Sequence, residues 1–179
     1  MPVIRRIGVA EADGRRNRVR FEGDSESTSG ATDAQVWSEA LDYDRNNIFA
    51  RILRDELPSE RVYEDDDTLV IMDIMPRAPG HMLVLPKAPV RNLLDAEPEQ
   101  LAACMATAKK VAEAAKKAFK ADGITLQQFS EAAGGQEVFH LHFHVVPRME
   151  CKRMKPAGAG DMEKPDVLRK HAERIRAEL

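Results

Sequence analysis

The chain contains few cysteines and no long apolar run. Only Cys104 and Cys151 occur among its 179 residues, whereas a small disulfide-stapled domain needs several cysteines at regular spacing. Free thiols are typical of a reducing compartment, so we expect a cytoplasmic protein. No segment approaches the roughly 18 consecutive apolar residues of a membrane-spanning helix, and no apolar stretch typical of a secretory signal follows Arg5 and Arg6. We therefore expect no membrane partner.

The chain also lacks an excess of positive charge. Its 27 lysines and arginines are outnumbered by 30 aspartates and glutamates, which gives a net charge of −3. A basic surface is the usual electrostatic signature of general nucleic-acid binding, so we expect no nucleic-acid partner. Hydrophobic residues make up 43% of the chain, which is enough to form one core of ordinary size.

Three of the five histidines lie within five positions of one another, as His140, His142 and His144. They alternate with apolar residues, and side chains alternate between the two faces of a β-strand. The pattern therefore predicts a strand over residues 138–146 with three imidazoles on one face. The opposite face is then a core surface of Phe139, Leu141, Phe143 and Val145. Packing alone gives no reason for such a row of imidazoles, so the pattern indicates chemistry.

A metal site is the main alternative use of this histidine row, because neutral imidazole is a common metal ligand. The outer two imidazoles start about 13 Å apart along a straight strand, so only neighbours could easily chelate one ion. The same side chains can instead act as nucleophile or as acid and base. Just before them, Gly134 and Gly135 allow backbone N–H groups to approach an anion, and Gln136 adds an amide donor. This combination favours a phosphate ester or anhydride as the ligand.

Two blocks of sequence resemble the histidine triad (HIT) family of nucleotide hydrolases and transferases. Residues 135–148 carry the pattern Gly-Gln-x-Val-x-His-x-His-x-His, followed by two apolar residues and Pro-Arg. Residues 62–87, with Asp73-Ile74 and Pro79-Gly80-His81, resemble the nucleoside-binding half of the family. Together the resemblance covers roughly residues 46–150, which is most of the foldable chain.

The sequence pattern and the resemblance together predict an α+β fold. The resemblance implies a mainly antiparallel five-stranded sheet with a long helix, and a homodimer in which two such sheets join into ten strands. The pattern predicts a helix from Ile48 that ends at Pro58, and a long helix capped by Asp95 and stopped by Gly123. The predicted strands cover residues 60–64, 68–74, 81–86, 124–129 and 138–146.

Three regions follow from this reading. Residues 1–44 form an N-terminal extension, predicted as a hairpin followed by a flexible linker rich in serine and glycine. Residues 45–150 form the HIT domain. Residues 151–179 form a C-terminal tail with a short helix from Asp166, which we expect to lie on the surface. The resemblance also allows the alternative that the tail lies near the active site or the dimer interface, with Lys152 or Arg153 reaching phosphate.

The resemblance assigns the catalytic roles. His142 attacks the α-phosphorus of a nucleotide that bears a leaving group, and water then releases a nucleoside monophosphate from the nucleotidyl-histidine. This attack requires a neutral nitrogen on His142, with the other ring nitrogen held by a backbone carbonyl or a similar acceptor. His144 binds the phosphoryl oxygens and the leaving group, and His140 supports both from behind. No metal or cofactor is implied.

The resemblance also assigns the substrate contacts. Asp73 accepts hydrogen bonds from the ribose hydroxyls, and a carboxylate among apolar neighbours needs such a partner. His81 extends the imidazole cluster. The remaining implied contacts are the aliphatic walls around base and sugar and the loop before the histidines, namely Leu57, Ile71, Ile74, Leu83, Ser130, Gly135, Gln136 and Glu137. Core packing is the alternative reading for the four aliphatic residues.

Some positions depart from the family pattern. Relatives often open the domain with a Cys-x-x-Cys pair that binds structural zinc, but Asn47 and Ala50 stand here, and Val90 replaces a further histidine. We therefore expect no zinc site. Ser130 stands where an asparagine is common, and Glu137 where some phosphoramidases carry serine. A carboxylate at Glu137 can protonate an amine leaving group, repel polyphosphate or point to solvent.

We expect a hydrolase that acts on nucleoside monophosphate derivatives, such as a phosphoramidate of a purine nucleotide. Glu137 argues mildly against the close alternative, a dinucleoside polyphosphate hydrolase. A nucleotidylyltransferase uses the same covalent intermediate with a different acceptor. A nucleotide-binding regulatory protein with low turnover is the alternative without catalysis.

Overall fold

The computed structural model describes residues 43–156 and 161–179. The hairpin and linker predicted for the N-terminal extension lie outside the described residues. None of the helices within the described ranges has both the length and the apolar character needed to cross a membrane.

Three helices and five strands follow one another along the described chain. In order they are α1 (Ile48–Leu53), β1 (Arg61–Glu64), β2 (Thr68–Met72), β3 (Met82–Pro86), α2 (Pro98–Phe119), β4 (Gly123–Gln127), β5 (Phe143–Arg148) and α3 (Pro165–Arg176). The strands form one sheet in the order β1-β2-β3-β5-β4, and every neighbouring pair is antiparallel. This confirms the predicted α+β class, the five-stranded antiparallel sheet and the long helix.

The two faces of the sheet pack against different helices because side chains alternate along each strand. One face packs against α2 and α3 and contributes Val70, Met72, Met82, Val84 and Val145 to the larger core. The opposite face forms a smaller apolar cluster with the short helix α1. Its buried members are Phe49, Ile52, Leu69, Ile71, Leu83 and Leu85.

Several element boundaries differ from the predictions. Strand β5 begins only at Phe143, so His140 and His142 precede the strand. The first helix ends at Leu53, well before Pro58. In both cases the apolar sequence pattern extends beyond the residues that form the regular element.

The caps of α2 were also predicted wrongly. Glu97, not Asp95, is the N-cap, and its backbone N–H donates to the side-chain Oε1 of Gln100 at 2.9 Å, as in a capping box. At the other end, Lys120 adopts the left-handed conformation with φ 51° and closes the helix. Gly123 therefore begins β4 and does not stop the helix.

The C-terminal helix α3 is part of the core, which corrects the expectation of a surface tail. Leu168, Ala172 and Ile175 are buried in the larger core. Their spacing of four and three residues puts them on one face of a helix. Arg174 and Arg176 also donate to the backbone carbonyls of Ala118 and Arg61. The helix therefore ties the end of the chain to α2 and β1.

A glycine permits the close approach of the β2–β3 loop to the end of α2. Gly80 has φ +81°, and a Cβ added there would lie 2.5 Å from a ring carbon of Phe119. Gly80 immediately precedes His81, so this contact also sets the entry of the chain into β3.

Replacing Gly80 with alanine should therefore destabilise the protein by about 2 kcal/mol or more, because both the positive φ and the clash must be relieved. Gly123→Ala is the matched control, since no atom lies within 4 Å of its added Cβ, and it should change stability by no more than about 0.5 kcal/mol. Urea denaturation measures both values. Equal stabilities for the two variants would contradict the packing described.

Candidate active site

A cavity of about 350 Å³ lies between α1 and the smaller apolar face of the sheet. This volume falls in the usual range of small-molecule pockets. Most residues predicted for the site line it: Leu57, Ile71, Asp73, Ile74, His81, Leu83, Gly135, Glu137, His142 and His144. Ser130, Gln136 and His140 do not belong to this lining. We call this cavity the nucleotide pocket, after the function that the resemblance implies.

Strand register builds one wall of the nucleotide pocket. Ile71 pairs with Leu83, and Leu83 pairs with His144, so these three side chains lie side by side on one face. Asp73 and His81 continue the same face just beyond the strand ends, where the N–H of Asp73 donates to the carbonyl of His81 at 3.1 Å. The hairpin thereby brings a carboxylate next to two imidazoles.

One ring nitrogen of His142 is fixed by the backbone. Its Nδ1 lies 2.7 Å from the carbonyl oxygen of His140. Because a carbonyl can only accept, Nδ1 carries the hydrogen and Nε2 keeps its lone pair. Burial lowers the pKa of His142, although the carbonyl bond and Asp73 oppose the shift. The neutral ring therefore has an unprotonated Nε2, as the proposed nucleophile requires.

His81 and His144 form a second imidazole unit. The backbone N–H of Arg77 donates to Nδ1 of His81 at 3.2 Å, so the hydrogen of His81 lies on Nε2. That Nε2–H donates to Nδ1 of His144 at 3.0 Å, which places the hydrogen of His144 on its own Nε2. Burial lowers the pKa of both rings to about 3. His144 is therefore a neutral N–H donor in the pocket lining.

Asp73 lies against these imidazoles without forming an ion pair. Its Oδ1 accepts from the N–H of Met75 at 2.8 Å, and its Oδ2 lies 3.3 Å from Nδ1 of His81. That nitrogen already accepts from Arg77, so it carries no proton to share. Burial raises the pKa of Asp73, although the Met75 bond opposes the rise. The carboxylate thus lacks a strong donor, and a ribose hydroxyl would supply one.

The ligand atoms of Asp73, His81 and His144 lie within 4.8 Å of one another, which a metal ion could use. However, the lone pairs at Nδ1 of both histidines already accept hydrogen bonds, from Arg77 and from His81. Hydrogen bonding therefore accounts for this cluster. The expectation that the site uses neither a metal nor a cofactor remains a prediction.

His140 lies behind the nucleotide pocket and does not share a face with the other two histidines as predicted. It is fully buried, its Nε2–H donates to the carbonyl of Pro86 at 2.9 Å, and its Nδ1 accepts from the hydroxyl of Tyr43 at 2.5 Å. Both ring nitrogens are thus engaged. The ring therefore acts as a fixed support, and its backbone carbonyl orients His142.

The structural zinc found in some relatives does not fit this chain. Asn47 and Ala50 lie in the N-cap and first turn of α1, and neither they nor Val90 supply a thiolate or an imidazole. His140 offers no free nitrogen, because Tyr43 and Pro86 occupy both. The ring of His140 is thus held by two hydrogen bonds.

The side-chain amide of Gln136 lies outside the pocket lining and bonds to the loop backbone, and its predicted contact with substrate stays a prediction. Its Oε1 accepts from the N–H of Glu131 at 2.9 Å, and its Nε2 donates to the carbonyls of Arg91 and Val138 at 2.8 and 3.0 Å. Ser130 also lies outside the pocket lining, and its hydroxyl donates to Oε1 of Gln128 at 3.1 Å.

An ion pair holds the turn that precedes the glycine loop. Glu131 has φ 63° and ψ 161°, a combination that is almost confined to glycine. Its carboxylate accepts from Arg91 at 2.8 Å and from Asn92 at 2.6 Å. The side-chain contacts thus compensate for the strained backbone, and Gly135 with φ +91° then enters the pocket lining.

Sequence reasoning missed several pocket residues, three of which contact the histidines. Phe49 packs edge-on against His142 with ring centroids 5.0 Å apart, and Phe129 packs in the same way against His144 at 5.4 Å. Arg77 supplies the N–H to His81 and is the one lysine or arginine among the described residues that line this pocket. Only Arg77 lies within one of the two family blocks, so the sequence offered little signal for the two phenylalanines.

Comparisons with known proteins agree with this geometry. A model of the HIT domain matches residues 54–151. Purine nucleoside phosphoramidase of Escherichia coli (strain K12) is 41% identical over 102 residues, which cover 55% of this chain and 84% of that protein. Adenylylsulfatase HINT3 of Arabidopsis thaliana is 36% identical over 127 residues, which cover 70% of this chain and 64% of that protein.

A solved structure shares both fold and sequence. The Hit-like protein involved in cell-cycle regulation from Bartonella henselae, solved with an unknown ligand, has a TM-score of 0.73 and 54% identity. The likeness covers 76% of this chain and 98% of that chain.

The fold and the site define a class of α+β proteins in which paired imidazoles line a pocket on an antiparallel sheet. The matching family model and the similar proteins all belong to the same family. The chain belongs to the histidine triad (HIT) family.

Replacing Tyr43 with phenylalanine should free Nδ1 of His140 while keeping the aromatic ring. A buried acceptor left unpaired costs about 1–3 kcal/mol, so stability should fall by that amount. The ¹⁵N resonance of His140 Nδ1 should shift in histidine-labelled protein. Tyr63→Phe is the control, because Tyr63 stacks with Lys110 outside the pocket and should leave that resonance unchanged. An unchanged His140 resonance in Tyr43→Phe would contradict the hydrogen bond.

The buried histidines also predict how stability depends on pH. Burial lowers the pKa of His140 to about 4, and that of His81 and His144 to about 3, against about 6.5 in the unfolded chain. Below about pH 6.5 the unfolded chain binds protons that the folded chain does not, so the free energy of unfolding should fall as the pH drops. Above that pH all three rings are neutral in both states.

Urea denaturation at several values between about pH 7 and about pH 4.5 measures this slope. His81→Asn removes one titrating ring and should make the slope shallower. A free energy of unfolding that does not change over this range would contradict the buried, neutral imidazoles.

Proposed function

We propose that the protein hydrolyses nucleotides through a covalent intermediate on His142, and that its preferred substrates are phosphoramidates of purine nucleoside monophosphates. The observation that carries the proposal is the unprotonated Nε2 of His142 in the pocket, fixed by the bond from Nδ1 to the carbonyl of His140 at 2.7 Å. A neutral imidazole with one free lone pair is a nucleophile near neutral pH.

In the first step, Nε2 of His142 forms a bond to the α-phosphorus, and the bond from phosphorus to the leaving amine breaks. The N–H of His144 stabilises charge on the phosphoryl oxygens. An anionic phosphate next to His144 favours its protonated form, so the bound substrate lets His144 carry the proton that the leaving amine takes.

In the second step, water attacks the phosphorus and the bond to His142 breaks. The proton from water returns to His144, and the nucleoside monophosphate leaves. His142 recovers its free lone pair, so the two steps together consume one water and release one amine. His81 holds the neutral form of His144 in the required tautomer through the hydrogen bond at 3.0 Å, and this bond is given up while Nδ1 of His144 carries the extra proton.

We assign the nucleoside to the apolar end of the pocket. Asp73 accepts from the ribose hydroxyls, because its carboxylate is buried without a strong donor. The base lies among Leu57, Ile71, Ile74 and Leu83, which line the cavity together with Phe49. The preference for purines is supported by the likeness to the phosphoramidase of Escherichia coli.

Glu137 and Arg77 favour different leaving groups. Glu137 lines the pocket, and a carboxylate there favours an amine over a polyphosphate. Arg77 lines the same pocket and favours an anionic leaving group. The likeness to an adenylylsulfatase supports a second candidate, hydrolysis of a nucleotide with a sulfate leaving group. Dinucleoside polyphosphates, nucleotidylyl transfer and binding with low turnover are further alternatives that the assay below separates.

We also propose a homodimer in which β4 meets its counterpart. This strand is at one edge of the sheet, and Leu126 on it is exposed. A reducing, cytoplasmic location fits the two free thiols of Cys104 and Cys151.

The proposal predicts rapid release of AMP from adenosine 5′-phosphoramidate, with no effect of a chelator. Parallel assays with adenosine 5′-phosphosulfate and with diadenosine tri- and tetraphosphate rank the leaving groups. Preference for the phosphosulfate or for the dinucleotides would promote the corresponding alternative. AMP release from none of them would favour a transferase or a binding protein.

His142→Gly should abolish turnover while AMP binding, measured by calorimetry, stays within about threefold of the wild type. Added imidazole can occupy the space left by the side chain and should restore part of the activity. Turnover that survives without imidazole would show that His142 is not the nucleophile.

A further inference from the structure

A second cavity, of about 330 Å³, is lined by the β2–β3 loop, the end of α2, the segment that follows β5 and α3. We call it the basic pocket, because five cationic side chains line it: Arg77, Arg148, Lys152, Arg153 and Lys155. Phe119, Pro79 and Pro147 supply apolar lining, and Glu163 is the one acidic residue among the described residues that line it.

These five cations lack the carboxylate partners that some other basic residues of the described chain have. Arg61, Lys87 and Arg91 each pair with a carboxylate within 4 Å. Within residues 43–156 and 161–179, none of the five cations of the basic pocket forms such a pair. Although the chain has a net charge of −3, the described residues place five cations and one carboxylate around this cavity. Such a cluster attracts anions.

Backbone carbonyls fix part of this cluster in place. Nε of Arg77 donates to the carbonyl of Lys155 at 2.8 Å, and the N–H of Lys155 donates back to the carbonyl of Arg77 at 3.1 Å. Nη2 of Arg148 donates to the carbonyl of Lys152 at 3.1 Å. The segment after β5 is thereby fastened to the β2–β3 loop. The ammonium groups of Lys152 and Lys155 remain without a hydrogen-bond partner among the described residues.

Arg77 also lines the nucleotide pocket. Its backbone N–H donates to Nδ1 of His81 at 3.2 Å, and His81 donates to His144. A ligand that contacts the guanidinium of Arg77 would therefore bind the same residue whose backbone N–H donates to His81. The same residue joins the two cavities.

We propose that the basic pocket binds a polyanionic phosphate group, and that Arg77 couples this binding to the His81–His144 pair. Phosphate oxygens accept hydrogen bonds from guanidinium and ammonium groups together, which matches the mixture of arginine and lysine here. The phosphate belongs either to a long substrate that extends from the nucleotide pocket past Arg77 or to a separate phosphorylated molecule. The coupling rests on the proposed function, whereas the binding itself does not.

Inorganic tripolyphosphate is a probe for the binding, followed by calorimetry on the full chain. The triple variant Lys152→Ala/Arg153→Ala/Lys155→Ala should bind it at least about tenfold more weakly, because three charge-assisted contacts are lost. All three side chains are exposed, so the fold should be retained. Equal affinity in the variant and the wild type would overturn the proposal.

A matched control removes the same charge elsewhere. Lys109→Ala/Lys110→Ala/Lys116→Ala changes three exposed lysines of α2, where alanine is a good helix former. This variant should bind tripolyphosphate within about twofold of the wild type. A comparable loss in both triple variants would show that net charge alone drives the binding and would also overturn the proposal.

Competition distinguishes the two sources of phosphate. If tripolyphosphate still binds when AMP saturates the nucleotide pocket, and the Lys152→Ala/Arg153→Ala/Lys155→Ala variant loses that binding, the ligand is a separate molecule. If AMP displaces it and the same variant still weakens it, the basic pocket serves the substrate itself. These measurements need no turnover, so failure of the proposed hydrolase activity would leave the result on binding intact.

Coupling is tested by AMP release from the phosphoramidate. Tripolyphosphate near Arg77 should make His144 easier to protonate, because a nearby anion favours the imidazolium. The alkaline limb of the kcat profile, on which activity falls as His144 loses its proton, should therefore move to higher pH when tripolyphosphate is added to the wild type. In the Lys152→Ala/Arg153→Ala/Lys155→Ala variant it should stay unchanged. Identical profiles with and without tripolyphosphate would overturn the coupling alone.

Discussion

A backbone carbonyl decides which nitrogen of His142 is free to react. The carbonyl of His140 accepts from Nδ1–H at 2.7 Å, and contacts of His140 and His142 support this arrangement. The ring of His140 is held at both nitrogens, by Pro86 and Tyr43, so its own carbonyl cannot turn away. The edge of Phe49 packs against His142 from the pocket side. Hydrogen bonds and packing thus set the free nitrogen of His142.

The sequence allowed the larger part of the fold and the centre of the site to be predicted, because both depend on periodicity. Alternation of apolar residues with histidines correctly placed Leu141, Phe143 and Val145 in the core and brought His142 and His144 to one pocket. The family resemblance added Asp73 and His81, which the strand register then brings together. The proposed roles of these residues remain predictions.

What the sequence could not predict depends on contacts between distant segments. An amide such as Gln136 can bind ligand or backbone, and only the fold shows that the carbonyls of Arg91 and Val138 occupy it. The role of Arg77 depends on its backbone N–H, which no side-chain pattern encodes. Tyr43 belongs to a region with no recognisable motif, yet its hydroxyl donates to Nδ1 of His140. These contacts arise after folding has joined the segments.

The most direct test of the account is to trap the covalent intermediate. The protein is mixed with adenosine 5′-phosphoramidate, quenched in denaturant within the first turnover, digested and examined by peptide mass spectrometry. The account predicts an adenylyl group on the peptide that contains His142 and its loss in His142→Gly. Adenylylation of a different histidine, or turnover in which no adduct forms at any time, would contradict the nucleophile that the hydrogen bond to His140 defines.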